Sequence, residues 1–261
     1  MKRNHIAVLF FLVSLVLASC SKFSNGDVVI ETREIAPRFN AICMYNNVNV
    51  KLVQSDQPHL ELTCPKNLID KVTTEFSPSG DTLIIKNENT LNWLRSYDYS
   101  IDLTVYYNAL LEINYASIGD LRCSDPIEGY SVRVFDPASN EYVLRNYFYL
   151  NINEGSGDID LAIHCNILKN KFSNGTSHVA LKGIVGYAEH VTRSYGLIDA
   201  SKLQTNIAVV ESSSTNDVYV WAESKLDVQL YSIGNIYYKG NPAISVNACT
   251  NDGRLIPWME P

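Results

Sequence analysis

Sustained helical periodicity is missing from this chain of 261 residues. Residues 66–75 are the one short candidate for a helix. Away from the N-terminus there is also no apolar run of the roughly 20 residues that a bilayer span requires. Cationic charge is in short supply, with 21 Lys and Arg against 28 Asp and Glu and a net charge of −7, which argues against a nucleic acid partner. The six cysteines contain no Cys-x-x-Cys pair, which argues against a zinc knuckle or a redox motif. No His-x-x-x-His spacing, Gly-x-Ser-x-Gly elbow or phosphate-binding loop occurs. The sequence therefore calls for no metal, no cofactor and no catalytic residue.

What is present begins with an export signal. Lys2 and Arg3 precede an apolar run over residues 6–18, and Leu17-Ala18-Ser19-Cys20 resembles a bacterial lipobox. On this reading residues 1–20 are the signal and the Cys20 thiol is acylated after cleavage. The acyl chains hold the protein to the outer membrane at about 0.8 kcal/mol per buried methylene. Residues 21–37 form a tether. An acidic tract after the cysteine is lacking, which favours the periplasmic face over the cell surface. Loss of Lys2 and Arg3 makes the chain two charges more acidic. Five thiols remain, Cys43, Cys64, Cys123, Cys165 and Cys249; they read as small buried hydrophobes, one or two disulfides being the alternative.

Sixteen Tyr, many Val and Ile, and strands broken by Gly, Asn and Ser indicate an all-β chain. Between Asn153 and Gly240 a small-residue turn followed by an alternating strand recurs five times. Its apolar anchors Ile159, Val179, Ile198, Val218 and Ile236 are 20, 19, 20 and 18 residues apart. No such unit can bury its apolar face alone, so neighbours must cover it. Alternation puts Leu161, Leu181, Ala200, Val220 and Tyr238 on the same inner face, and Asp160, Ala180, Asp199, Tyr219 and Tyr237 outside. A second, weaker apolar segment precedes each turn, carried by pairs such as Leu150 with Ile152 and Ala188 with Val191, and by Val209. The expected architecture is a parallel β-helix-like solenoid with coils of about 20 residues and a less regular N-terminal β region. Residues 114–122 read as one further copy of the repeat. Residues 123–148 form an insertion with a hairpin tip at Asp136-Pro137-Ala138-Ser139-Asn140, and residues 243–261 a cap or tail.

Several of these features together resemble one family. The lipobox, Phe39-Asn40-Ala41-Ile42 leading to Val48-Asn49-Val50-Lys51-Leu52-Val53-Gln54, the Gly155-Ser156-Gly157-Asp158-Ile159 turn with its echoes, and Gly234-Asn235-Ile236-Tyr237-Tyr238-Lys239-Gly240 are similar to the head GIN domain family of auto-transporter adhesins over residues 38–242. The resemblance implies a right-handed parallel β-helix-like head of the kind found in exported Bacteroidetes proteins, with no catalytic residues to carry over. The chain departs from the pattern in keeping the Gly-Ser-Gly-Asp turn whole only once, and in its long insertion.

Candidate chemistry is sparse. Gly155-Ser156-Gly157-Asp158 partly matches a calcium-binding nonapeptide, but the repeat is too long for carboxylates to line up, and the glycines serve the turn. Asp160 and Asp199 share an outer face two coils apart, near the upper limit for an inverting glycosidase pair. That spacing supports a polysaccharide-cleaving enzyme as the alternative function; the other reading is two solvated carboxylates. His59, His164, His178 and His190 read as surface or satisfied histidines. Tyr219, Trp221 and Tyr237 face outward together. They form either a platform for sugar rings or, with Trp258, the closure of the last coils. The leading functional expectation is a non-enzymatic envelope lipoprotein, an adhesin-like binding or scaffolding module whose partner is a glycan or another envelope protein.

Overall fold

The computed structural model describes residues 25–35, 39–89 and 99–258. Among them lie 18 β-strands in one sheet. The first nine are short: β1 (Val28–Glu34), β2 (Ala41–Asn46), β3 (Asn49–Gln54), β4 (His59–Pro65), β5 (Val72–Phe76), β6 (Thr82–Asn87), β7 (Asp102–Tyr107), β8 (Glu112–Ser117) and β9 (Leu121–Cys123). The insertion is a hairpin of β10 (Tyr130–Asp136) with the start of β11 (Glu141–Gly155). Four long strands follow, β11 having led into them: β12 (Ile159–Phe172), β13 (His178–Thr192), β14 (Leu197–Ser212) and β15 (Val218–Leu230). Then come β16 (Ile236–Lys239), β17 (Ala243–Cys249) and β18 (Leu255–Pro257). The helix expected over residues 66–75 is reduced to one 3-10 turn, Ile69–Lys71, which leads directly into β5.

Strands β11 to β15 pair in parallel, each with the strand one repeat further along the chain. The five anchors are direct register partners: Ile159 with Val179, Val179 with Ile198, Ile198 with Val218, and Val218 with Ile236. All five are buried. The column continues toward the N-terminus through Leu121, Val50 and Leu103, also buried. Its spatial order is not the chain order, because β3 lies between β7 and β9, and β2 between β6 and β8. The copy expected at residues 114–122 is thus in place, with β9 under β12 and β8 beside β11.

The sheet is mixed and not a clean parallel helix, and its antiparallel pairings lie in the N-terminal region expected to be less regular and in the insertion hairpin. The pairings β1–β4, β4–β7, β5–β6 and β10–β11 are antiparallel. For β5–β6 and β10–β11 the cause is local: each pair is joined by a tight turn, which can only return the chain antiparallel. At Asn140 that turn takes φ 58°, a conformation asparagine tolerates.

Each long strand serves two ladders. The start of β12, Ile159 and Asp160, pairs with β9 and its second half with β11. Its buried residues step out of phase between Cys165 and Leu168, so both arms keep an apolar side toward one core. The turns between successive long strands lie on one another. The Thr176 N–H donates to the Gly155 carbonyl at 2.8 Å. At Gly175 (φ +116°) a Cβ would come within 2.3 Å of that same carbonyl oxygen, so only glycine fits.

A second column runs Leu83, Ile42, Ile113, Leu150, Asn170, His190, Val210 and Val228. Two polar residues thus sit in the middle of an aliphatic row, and here two of the expected apolar residues lie off the inner face. In this arm Ala188, His190 and Thr192 face inward, with Ala208 and Val210 in the next coil, while Val191 and Val209 do not. The cause is that polar side chains take inward positions and β-branched residues take the positions between. Asn170 Nδ2 donates to His190 Nδ1 at 3.4 Å, leaving His190 Nε2 and Asn170 Oδ1 without a partner. Complete burial drives the His190 pKa down to about 4 from its ordinary 6.5.

The five thiols from Cys43 onward are unpaired. Cys64 and Cys165 are buried, Cys43 and Cys123 half-buried, and Cys249 is exposed, so the buried reading fails for Cys249. Burial pushes the Cys165 thiol up to about 12.

Two outcomes follow. Ile198→Ala, in the middle of the first column, should cost about 2–5 kcal/mol in urea unfolding. For His190 the folded-state pKa lies below the unfolded one. Its contribution is therefore intact above pH 6.5 and is lost as pH falls toward 4, a loss of about 3 kcal/mol. The double variant Asn170→Val/His190→Val should flatten that acid limb, and an unchanged slope would assign the limb to other groups.

Candidate functional site

Because the buried columns occupy every second position of the strands, the residues between them are held in fixed outer rows. The row beside the first column reads Thr104, Lys51, Arg122, Asp160, Ala180, Asp199, Tyr219 and Tyr237. One end is charged and the other aromatic.

At the charged end, β3, β7 and β9 form a groove of about 560 Å³ lined by Asn49, Lys51, Asp102, Thr104, Asp120, Arg122 and Cys123. Its carboxylates are already engaged. Asn49 Nδ2 donates to Asp102 at 2.9 Å, the Asp120 N–H donates to Asn49 Oδ1 at 3.0 Å, and Arg122 donates to Asp120 at 2.9 Å. Such a groove can take a polar ligand. Sequence reasoning missed it, because nothing local in the chain says that β7 lies against β3.

Asp160 and Asp199 occupy the same row with Ala180 between them, as their spacing indicated. They line a hollow of about 120 Å³ with Lys182 and Lys202. Lys182 Nζ donates to Asp160 at 3.0 Å, and the Ser201 N–H donates to Asp199 at 3.0 Å. Asp160 is thus tied to a cation and Asp199 to the backbone of its own strand.

At the aromatic end the Tyr219 and Tyr237 rings stack, with centroids 4.8 Å apart and planes at 9°. Trp258 meets Tyr219 edge-on at 5.6 Å, and Lys239 Nζ lies 4.1 Å from the centre of the Trp221 ring. All five side chains are half-buried. Partial burial, followed by the Asp217 charge, raises the Tyr219 pKa. Tyr219, Trp221 and Tyr237 therefore share one patch, as alternation along the strands implied. Trp258 joins it from beyond β18, so the patch both faces outward and covers the end of this ladder. The facing sides of Tyr219 and Tyr237 are occupied by each other.

Of the scattered histidines, His190 lies in the core. His59 stacks on Tyr106 with centroids 4.0 Å apart, and His164 lies 3.5 Å from Glu128. Among the described residues no group of three or more His, Cys, Asp or Glu could hold a metal ion. Nor is any helix among them long and apolar enough to cross a membrane. Cys20 lies outside the described residues.

A family model described as "Putative auto-transporter adhesin, head GIN domain" matches residues 38–242, and the chain belongs to this family. No curated protein matches the sequence. Among solved structures, one described as a putative adhesin from Bacteroides fragilis is similar, with a TM-score of 0.76 and 18% identity over 90% of this chain and 100% of that one. A protein described as a putative lipid binding protein from Parabacteroides distasonis is similar with a TM-score of 0.60 and 22% identity, covering 90% and 96%. A second P. distasonis structure, described as a putative adhesin, gives 0.58 and 17%, covering 89% and 98%. At these identities the likeness is one of fold.

Proposed function

We propose that this member of the head GIN domain family is a non-enzymatic, adhesin-like binding module of the bacterial cell envelope. It is a lipoprotein, acylated at Cys20 and held at the outer membrane on its periplasmic face. Its repeats wind as a right-handed β-solenoid, for which the support is that ladder partners lie one repeat apart in sequence. The observation that carries the function is the outer row itself. Parallel register fixes acidic, basic and aromatic side chains on a rigid lattice, and the side chains that hydrolysis would need are engaged in structural contacts. The ligand surface is the patch of Tyr219, Trp221 and Tyr237 with Trp258 and Lys239. There a glycan ring packs its CH face on an indole while its hydroxyls meet the phenols and the ammonium. An envelope protein presenting a similar amphipathic surface is the other occupant.

The binding reading is tested on a glycan array. The protein should retain a defined set of sugars, and Trp221→Ala should lose at least tenfold in affinity with its urea midpoint little changed. An array without a hit, or one indifferent to the substitution, removes the aromatic patch as a site. The anchor is tested separately by metabolic labelling with a clickable fatty acid. Label and membrane association should both vanish in Cys20→Ser; a labelled variant would refute acylation at this thiol.

A further inference from the structure

The two ends of the parallel ladder are finished differently. At the β5 end, Arg33 of β1 donates to the Val72 carbonyl at 2.6 Å, to the Ile69 carbonyl at 3.4 Å and to Thr74 Oγ1 at 3.0 Å, so a side chain covers backbone acceptors there. Strand β1 itself carries Glu31, Arg33 and Glu34, the hairpin strand β10 carries Arg133 and Asp136, and β18 ends in Pro257. Charge and proline are the usual means of keeping an unpaired strand edge from pairing with another chain. Strand β17 has neither: it reads Ala243-Ile244-Ser245-Val246-Asn247-Ala248-Cys249. Among the described residues it pairs with β15 alone.

Its apolar side chains are not an ordinary surface either. Leu226 and Val228, fully buried members of the second arm, have Ile244 and Val246 as their register partners. Yet Ile244 is 42% exposed and Val246 51%. The core column thus runs out into solvent at β17, and another strand laid along its edge would continue it.

We propose that β17 is a self-association edge, on which β17 of a second copy of this chain pairs antiparallel about a two-fold axis at Ser245. In antiparallel pairing, directly opposed residues share a face. A two-fold at Ser245 therefore sets Ile244 against Val246 of the second copy on the core side, and Ser245 against itself outside. The pairing lies within the regular stretch, because the ladder with β15 shifts only after Val246. It opposes no like charges, whereas the same construction on β10, centred on its middle residue, would set Arg133 against Arg133. Isologous contact of this kind closes at two copies. One short strand per copy buries less than the ~1,200–2,000 Å² of a standard stable interface, so the dimer is concentration-dependent.

Sedimentation velocity on a concentration series tests this. The wild-type protein should move toward twofold mass as concentration rises. Ile244→Lys should remain a monomer with an unaltered urea midpoint, since Ile244 is partly exposed in the single copy. Independently, Ser245→Cys in a Cys249→Ser background should give a disulfide-linked dimer in cells on non-reducing gels, while Arg133→Cys in the same background should not. A wild-type protein that stays monomeric at every concentration would overturn the proposal and place the cover of β17 within the chain. A dimer indifferent to Ile244→Lys would overturn it in favour of another surface.

Discussion

Inward-facing apolar side chains in vertical register are the constraint on which the rest of the molecule depends. A strand of this chain is too narrow to bury its own Ile or Val, and the backbone hydrogen bonds that hold one repeat to the next also bring each anchor over its neighbour. Burying such a side chain yields about 1.5–3 kcal/mol, and each anchor gains it only if the repeats on both sides are in register. Cooperativity therefore runs along the ladder, as in other repeat architectures. The close approach of the Gly155 carbonyl to Gly175 is the same requirement seen at the turns, where neighbouring repeats must come within hydrogen-bonding distance.

A ladder built this way has an edge problem at each end, and the antiparallel strands are where the chain departs from pure repetition. Near the N-terminus, β4 and β1 continue the β7 edge antiparallel, and β5 does so on β6. The mixed character of the sheet is thus concentrated where the parallel array stops, together with one protruding hairpin. At the other end Pro257 and Trp258 finish one arm, with Trp258 on Tyr219. The other arm ends in β17, neutral and with its apolar residues half in solvent.

The first arm could be read from the sequence because its inward positions are almost all Val, Ile or Leu and its turns recur at a steady interval. The second arm could not be read as well. Inward His190, Thr192 and Ser212 look polar in sequence, while Val191 and Val209 between them look like core, so apolar pattern alone picks the wrong phase. The N-terminal region was illegible for another reason. Placing β3 between β7 and β9 is a choice of strand order, and no local pattern in residues 39–123 encodes it, so the groove at Lys51 and Arg122 went unseen. The outward set of Tyr219, Trp221 and Tyr237 was legible because alternation is local. Their mutual stacking was not, since it depends on Tyr219 and Tyr237 being exact register partners across β15 and β16.

The outer face follows from the inner one. Once the buried columns fix the register, the residues between them have no freedom to rearrange around a ligand, and each row is a printed order of side chains at the inter-strand spacing of about 4.8 Å. Such a surface binds by matching a ligand to a preset pattern and not by closing over it, which limits the ordering cost that binding imposes. The charged stretch from Lys51 to Asp199 and the aromatic stretch from Tyr219 to Tyr237 are consecutive segments of one such row. A long ligand lying along it would meet both, with its charged groups over the first and its ring faces over the second.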